Sequence, residues 1–291
     1  MAETKPTATV KPATTVQVKK SSGAISWMAP LICVIAGYLI WRLILGNSDY
    51  FSDAKDHHGE WFWPDYAKLK NSKDGLHKMY LGGIIVPLLI GCFLTVLTFV
   101  VERFMTISKA NGTGNNADFI RKVQYHLANK NVDAALAECD KQKGSVGNVM
   151  KAGLHRYREM ISNTELSTDQ KVLAIQKEVE EATSLELPML EKNLVFLSTI
   201  ASVATLLGLL GTVLGMIKSF SNLGSGEGGS AAAEQLSIGI SEALYNTALG
   251  IGTSAISIIM YNIFTTKIDG ITYGIDESGF TLTQSFASLY K

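Results

Sequence analysis

Four stretches of this chain carry almost no charge, and each is long enough to cross a lipid bilayer. Ser21 to Trp41 and Leu81 to Val101 are 21 residues apiece, Asn193 to Ile217 is 25, and Gln235 to Thr266 is 32 with a single acid, Glu242. A hydrocarbon core about 30 Å thick needs about 20 apolar residues in a helix. No lipid-exposed backbone can stay unpaired there, so the spans are helices. Charged residues are only 18% of the 291, against roughly 25% in soluble domains. The expected fold is an all-α polytopic membrane protein with four transmembrane helices and a helical cytoplasmic domain between the second and third.

The chain divides accordingly. A tail (1–20), rich in Thr, Lys, Pro and Ala with no aromatic residue, cannot bury a core and is expected to be disordered. Spans are placed at 21–45, 81–101, 193–220 and 235–266, with a second tail at 267–291. The first apolar run follows four lysines but is longer than the core of a signal peptide and lacks a small-residue cleavage site, so it reads as an anchor. Its lower half is expected to be helical, with Pro30 in the first turns. Segment 102–192 holds 13 basic residues, the N-terminal tail holds four lysines, and loop 221–234 holds none. Basic residues mark the cytoplasmic side. Both termini and 102–192 are therefore expected inside, with 46–80 and 221–234 outside.

Within 102–192, Phe119, Ile120, Val123 and Leu127 repeat on one helical face, and helices follow from Val132 and Val146. Ser167 with Gln170 three residues on reads as a capping box. From there one bent helix is expected through Phe220, kinked at Pro188. The outer segment carries Trp61-Phe62-Trp63 beside lysines, which suits an interfacial helix. Its His57 and His58 match no defined metal-ligand spacing, so no metal site and no cofactor are expected. Balanced charge, 26 basic against 26 acidic residues, removes the case for nucleic acid. The cysteines Cys33, Cys92 and Cys139 stand in separate segments and read as buried, reduced thiols.

Polar residues inside the spans carry the functional signal. Ser198, Thr205, Thr212 and Ser219 recur every seven residues and line one face of span three. Ala204-xxx-Gly208 and Gly211-xxx-Gly215 offer close helix packing on the same span. In span four, Glu242 is an acid at depth, which costs on the order of 3 kcal/mol and marks a functional candidate; the spans offer it no charged partner. Gly239, Glu242, Asn246, Gly250, Thr253 and Ser257 share one sector, with Thr247 beside it. Neither a nucleophile–base pair nor a phosphate-binding loop accompanies them, so bond-breaking catalysis is not expected.

The run from Ala204 to Phe220 (ATLLGLLGTVLGMIKSF) and the run from Ile240 to Ile251 (ISEALYNTALGI), followed by Tyr261-Asn262, resemble the MotA/TolQ/ExbB proton-channel family, its ExbB branch most closely. Glu102-Arg103-Phe104 and the helical segment 117–192 also fit. The resemblance covers about residues 81–266. It implies a bacterial inner-membrane complex: a pentamer around a dimer of an ExbD-like single-span partner, driven by protons and energising a TonB-like protein. It implies that Thr212, Thr247 and Glu242 form the proton pathway; Ser198, Thr205, Ser219, Asn246 and Thr253, from the polar faces read above, are the pore-lining candidates. Two features depart from the family pattern: the extra N-terminal span, and Ile256 where the family commonly has proline. A TolQ-type subunit serving outer-membrane integrity and a non-conducting scaffold are the competing readings, with a metal transporter more distant.

Overall fold

The computed structural model describes residues 23–46, 78–224 and 230–290. The expectations for tail 1–20, for nearly all of segment 46–80 with its aromatic run and histidines, and for the glycine-rich stretch from Ser225 lie outside the described residues. Among those described, every element is helical and none is a strand. Four helices are long and apolar enough to span a membrane.

Helix α1 (Gly23–Ile40) runs into a π-helical turn at Trp41–Leu45, with Pro30 inside it. One face, Cys33, Trp41 and Leu45, is buried; Leu31, Ile35, Leu39 and Leu43 stay exposed. It crosses α3 (Ile85–Ala110) where glycines meet: a β-carbon on Gly37 would lie 2.7 Å from the Gly91 nitrogen. Small residues permit that approach where no hydrophobic force separates lipid from helix. A short helix, α2 (Lys78–Leu81), precedes α3. The sequence placed this span from Leu81, but Gly83 at φ +74° breaks the helix and restarts it at Ile85.

The helical domain forms as its periodicity predicted. Helix α4 (Asn116–Ala128) buries Phe119, Ile120, Val123 and Leu127, and α5 (Val132–Gln142) and α6 (Gly144–Ser162) complete the layer. Helix α7 (Thr168–Glu191) starts at the capping box, with Ser167 accepting from the Gln170 backbone and Gln170 closing back on the Ser167 N–H.

The expected single helix through Phe220 is two. Pro188 sits within α7, and the chain breaks at Lys192 and Asn193 before α8 (Leu194–Gly224). Asn193 adopts φ +68°, a left-handed conformation that Asn tolerates better than most residues. Arg103, on α3 and 2% exposed, holds the break. Its guanidinium donates to the carbonyls of Leu190 (3.2 Å) and Met189 (3.4 Å) and pairs with Glu102, while Asn193 Nδ2 donates to Glu102 (3.3 Å). The arginine thus satisfies carbonyls that a helix C-terminus leaves without partners.

Helix α9 (Ser230–Leu289) is continuous for 60 residues. Segment 267–291, expected as a tail, is helical through Leu289. Ile268, Ile271, Ile275, Leu282 and Phe286 enter the same core as Val149, Leu154 and Tyr157. Gln124 to Thr281 (3.2 Å) and Thr168 to the Tyr290 carbonyl (3.0 Å) pin it laterally. The last span and the helical domain therefore share one rod.

Candidate functional site

Helices α8 and α9 pack antiparallel along the small residues of both. A β-carbon on Gly250 would lie 2.6 Å from the Ala204 oxygen, one on Gly211 2.6 Å from Asn246 Cβ, and one on Gly215 2.9 Å from Ala243 Cβ. Gly208 faces the backbone of Thr247 and Gly250. The four small residues read from sequence on span three thus form one close-packed seam. The sector read on α9 also holds: Gly239, Glu242, Asn246, Gly250, Thr253 and Ser257 are all buried.

The hydroxyls divide into two groups. Ser198, Thr205, Thr212 and Ser219 donate to carbonyls of their own helix, at Val195, Ala201, Leu209 and Gly215, the local bonding Ser and Thr adopt in helices. Thr253 does likewise with Leu249. Ser198 and Thr205 face outward, Thr212 is half-buried and Ser219 is buried. Two hydroxyls cross the seam instead: Thr247 donates to the Gly208 carbonyl (3.1 Å) and Ser257 to the Leu197 carbonyl (2.7 Å). An interhelical hydrogen bond of this kind contributes on the order of 1 kcal/mol.

Glu242 is 9% exposed. The sequence left it with no charged partner, and the structure supplies one: Lys218 Nζ lies 3.9 Å from its Oε2. Lys218 ends the uncharged run of span three, and the antiparallel hairpin brings it abreast of Glu242. The separation is longer than a hydrogen bond, and the lysine is half exposed, so the pair is loose. One turn along, Asn246 is 2% exposed and donates from Nδ2 to the Gly82 carbonyl (3.2 Å), while its Oδ1 has no hydrogen-bond partner. Neither Lys218 nor Gly82 was singled out from sequence. The uncharged-run boundary pointed to the first; nothing local could point to the second, 164 residues away.

Exposed apolar side chains surround this hairpin, among them Leu206, Leu209, Val213, Ile217, Leu244 and Ile251. Such a surface requires lipid or another subunit. An acid, an amine, an amide and hydroxyls in a seam between two membrane helices can hydrate and pass protons. Among the described residues no group of three or more His, Cys, Asp or Glu side chains could hold a metal.

The fold defines the chain as a helical, multi-pass membrane protein whose last two spans meet in a polar seam. A family model described as the MotA/TolQ/ExbB proton channel family matches residues 141–277, which include both spans. The biopolymer transport protein ExbB of Aquifex aeolicus is 32% identical over 119 residues, 41% of this chain and 71% of the relative. The chain belongs to the MotA/TolQ/ExbB proton channel family. The putative biopolymer transport protein ExbB-like 3 of Synechocystis is 41% identical over 86 residues, 30% of this chain and 41% of that protein. The Tol-Pal system protein TolQ of Pseudomonas aeruginosa is 30% identical over 122 residues, 42% of this chain and 52% of that one. The chain therefore spans about half or less of the length of these last two relatives.

Proposed function

We propose that this chain is the proton-channel subunit of an inner-membrane motor, driven by the proton-motive force, that energises TonB-dependent transport across the outer membrane. The observation that carries the reading is Glu242, an acid buried in a hydroxyl-bearing seam inside the region the family model matches. Thr212, Thr247 and Glu242 hydrate and hydrogen-bond a membrane acid on a single-span partner as it exchanges its proton. Ser198, Thr205, Ser219, Asn246 and Thr253 extend that polar surface. Five copies enclose a dimer of the ExbD-like partner, and the exposed apolar faces of α8 and α9 supply the subunit contacts. Both termini and the domain between spans two and three lie in the cytoplasm, as the 13 basic residues of 102–192 favour. The TolQ relative supports a second reading, in which the same motor serves outer-membrane integrity.

Thr212→Val and Thr247→Val delete one hydroxyl each and keep the side-chain shape. Energised uptake of an iron chelate should fall while membrane levels and partner co-purification hold, and Thr247→Ser should restore it. Normal uptake in both valine variants would refute the pathway; loss of the complex itself would favour a scaffold.

A further inference from the structure

The extra N-terminal helix lies outside the family resemblance, yet it leads in two steps to the proposed pathway. Its π-helical turn presents two successive residues to Tyr80. The Trp41 ring stacks on the Tyr80 ring at 4.6 Å between centroids, and Trp41 Nε1 donates to the Tyr80 carbonyl (3.3 Å). Arg42 donates to the Tyr80 hydroxyl (2.9 Å). Gly46 closes the turn with its N–H on the Trp41 carbonyl (2.9 Å), and a β-carbon there would stand 2.4 Å from the tyrosine ring, so only glycine fits under it. Tyr80 is fully buried.

Two residues later the chain meets α9. Gly82 donates to the Met79 carbonyl (3.2 Å), and Gly83 at φ +74° turns the backbone so that the Gly82 carbonyl points at Asn246 Nδ2. A carbonyl can only accept, so the amide NH2 faces it, and the same contact fixes Oδ1, which lies 2.9 Å from where a β-carbon on Gly82 would stand. That oxygen is buried, has no partner and sits one turn from Glu242 in the same sector. Buried acceptors without partners are uncommon and call for a role.

Resting on the proton-channel reading, we propose that the N-terminal helix is a positioning element of the pathway. By clamping Tyr80 it fixes the Gly82 carbonyl, which fixes Asn246, whose Oδ1 accepts a hydrogen bond from water or a protonated group passing Glu242. Asn246 contacts the moving proton; Trp41, Arg42 and Tyr80 act through it.

The test is a double-mutant cycle on the full chain, co-purified with its single-span partner and reconstituted in liposomes, with proton flux read by an enclosed pH dye. Trp41→Ala and Asn246→Ala should each lower flux roughly three- to tenfold, the worth of one hydrogen bond. The double variant should be no slower than the slower single, because both remove the same acceptor. Tyr80→Phe keeps the ring stack and should retain most of the flux, whereas Tyr80→Ala should match Trp41→Ala. If Trp41→Ala fails to fold, Tyr80→Ala carries the cycle. Multiplicative losses in the double variant, or undiminished flux in the Trp41 or Tyr80 alanine variants, overturn the proposal. A wild-type complex that conducts no protons refutes the channel reading instead; melting of the same four proteins then judges the clamp, with non-additive shifts supporting it and additive shifts overturning it.

Discussion

Gly250 and Gly252 stand two residues apart on α9, and the same substitution should affect them with opposite sign. A β-carbon on Gly250 would sit 2.6 Å from the Ala204 oxygen and 2.9 Å from Gly208 Cα, whereas one on Gly252 would meet nothing within 4 Å. Ordinary contact begins near 3.4 Å, so Gly250→Ala forces α8 and α9 apart by about 0.8 Å. Both obstructing atoms belong to the α8 backbone, which cannot rotate away as a side-chain tip could. Overpacking of this kind costs about 1–3 kcal/mol. Gly252→Ala has no such penalty and gains up to about 1 kcal/mol of helix propensity. At roughly 2–4 °C per kcal/mol, Gly250→Ala should lower the melting temperature by about 2–12 °C, and Gly252→Ala should leave it level or raise it slightly. Thermal melts of both variants in detergent, followed by helical circular dichroism, measure this. Equal shifts for the two alanines would refute the close-packed seam. The Gly250 variant should also weaken Thr247, whose hydroxyl bond to Gly208 crosses the same contact.

Two further outcomes follow from the helical domain. Arg103→Ala strips the partners from two carbonyls at the end of α7 and from Glu102; since Glu102 is itself partly exposed, the loss should be about 1–3 kcal/mol. Limited proteolysis should cut faster near Lys192, and Arg103→Lys should not rescue, because an ammonium lacks the fork that reaches both helices. At Cys139, burial first and the neighbouring Asp140 second push the thiol up from 9.0 to about 12. The folded thiol keeps its proton where the unfolded chain has released it, so the unfolded state binds fewer protons and stability falls as pH rises from about 9 towards 12. Denaturant melts across that range should show a shallower fall for Cys139→Ala than for the natural chain.

What the sequence made legible were properties of one helix at a time. Phe119, Ile120, Val123 and Leu127 were readable as a buried face because period and burial coincide, and the Ser167 capping box needs only four neighbouring residues. Ala204, Gly208, Gly211 and Gly215 were readable as a seam because small residues at helical spacing have few other uses in a membrane. The end of α9 was misjudged for a related reason. Lys267 and Asp269 end the apolar run, but charge does not end a helix, and no proline follows to stop it. Between α7 and α8 only a kink at Pro188 was expected, not a break, because proline is the stronger local signal. The break falls at Asn193 because Arg103, 90 residues earlier, caps the carbonyls there.

The features of the candidate site that escaped the sequence are all long-range, and they change what its acid and amide can do. Taken along one helix, Glu242 is an isolated acid and Asn246 a polar residue in the same sector. The hairpin sets Lys218 across from the first, close enough to attract it but too far to hydrogen-bond, so the pair is loose. The glycine turn before α3 takes one hydrogen bond from the Asn246 amide nitrogen, while the amide oxygen has no partner. A structural asparagine would satisfy both ends of its amide, since each unsatisfied buried group costs about 1–3 kcal/mol. On the pathway proposed above, an amide held at one end and open at the other, one turn from a buried acid, recovers that cost when a donor passes.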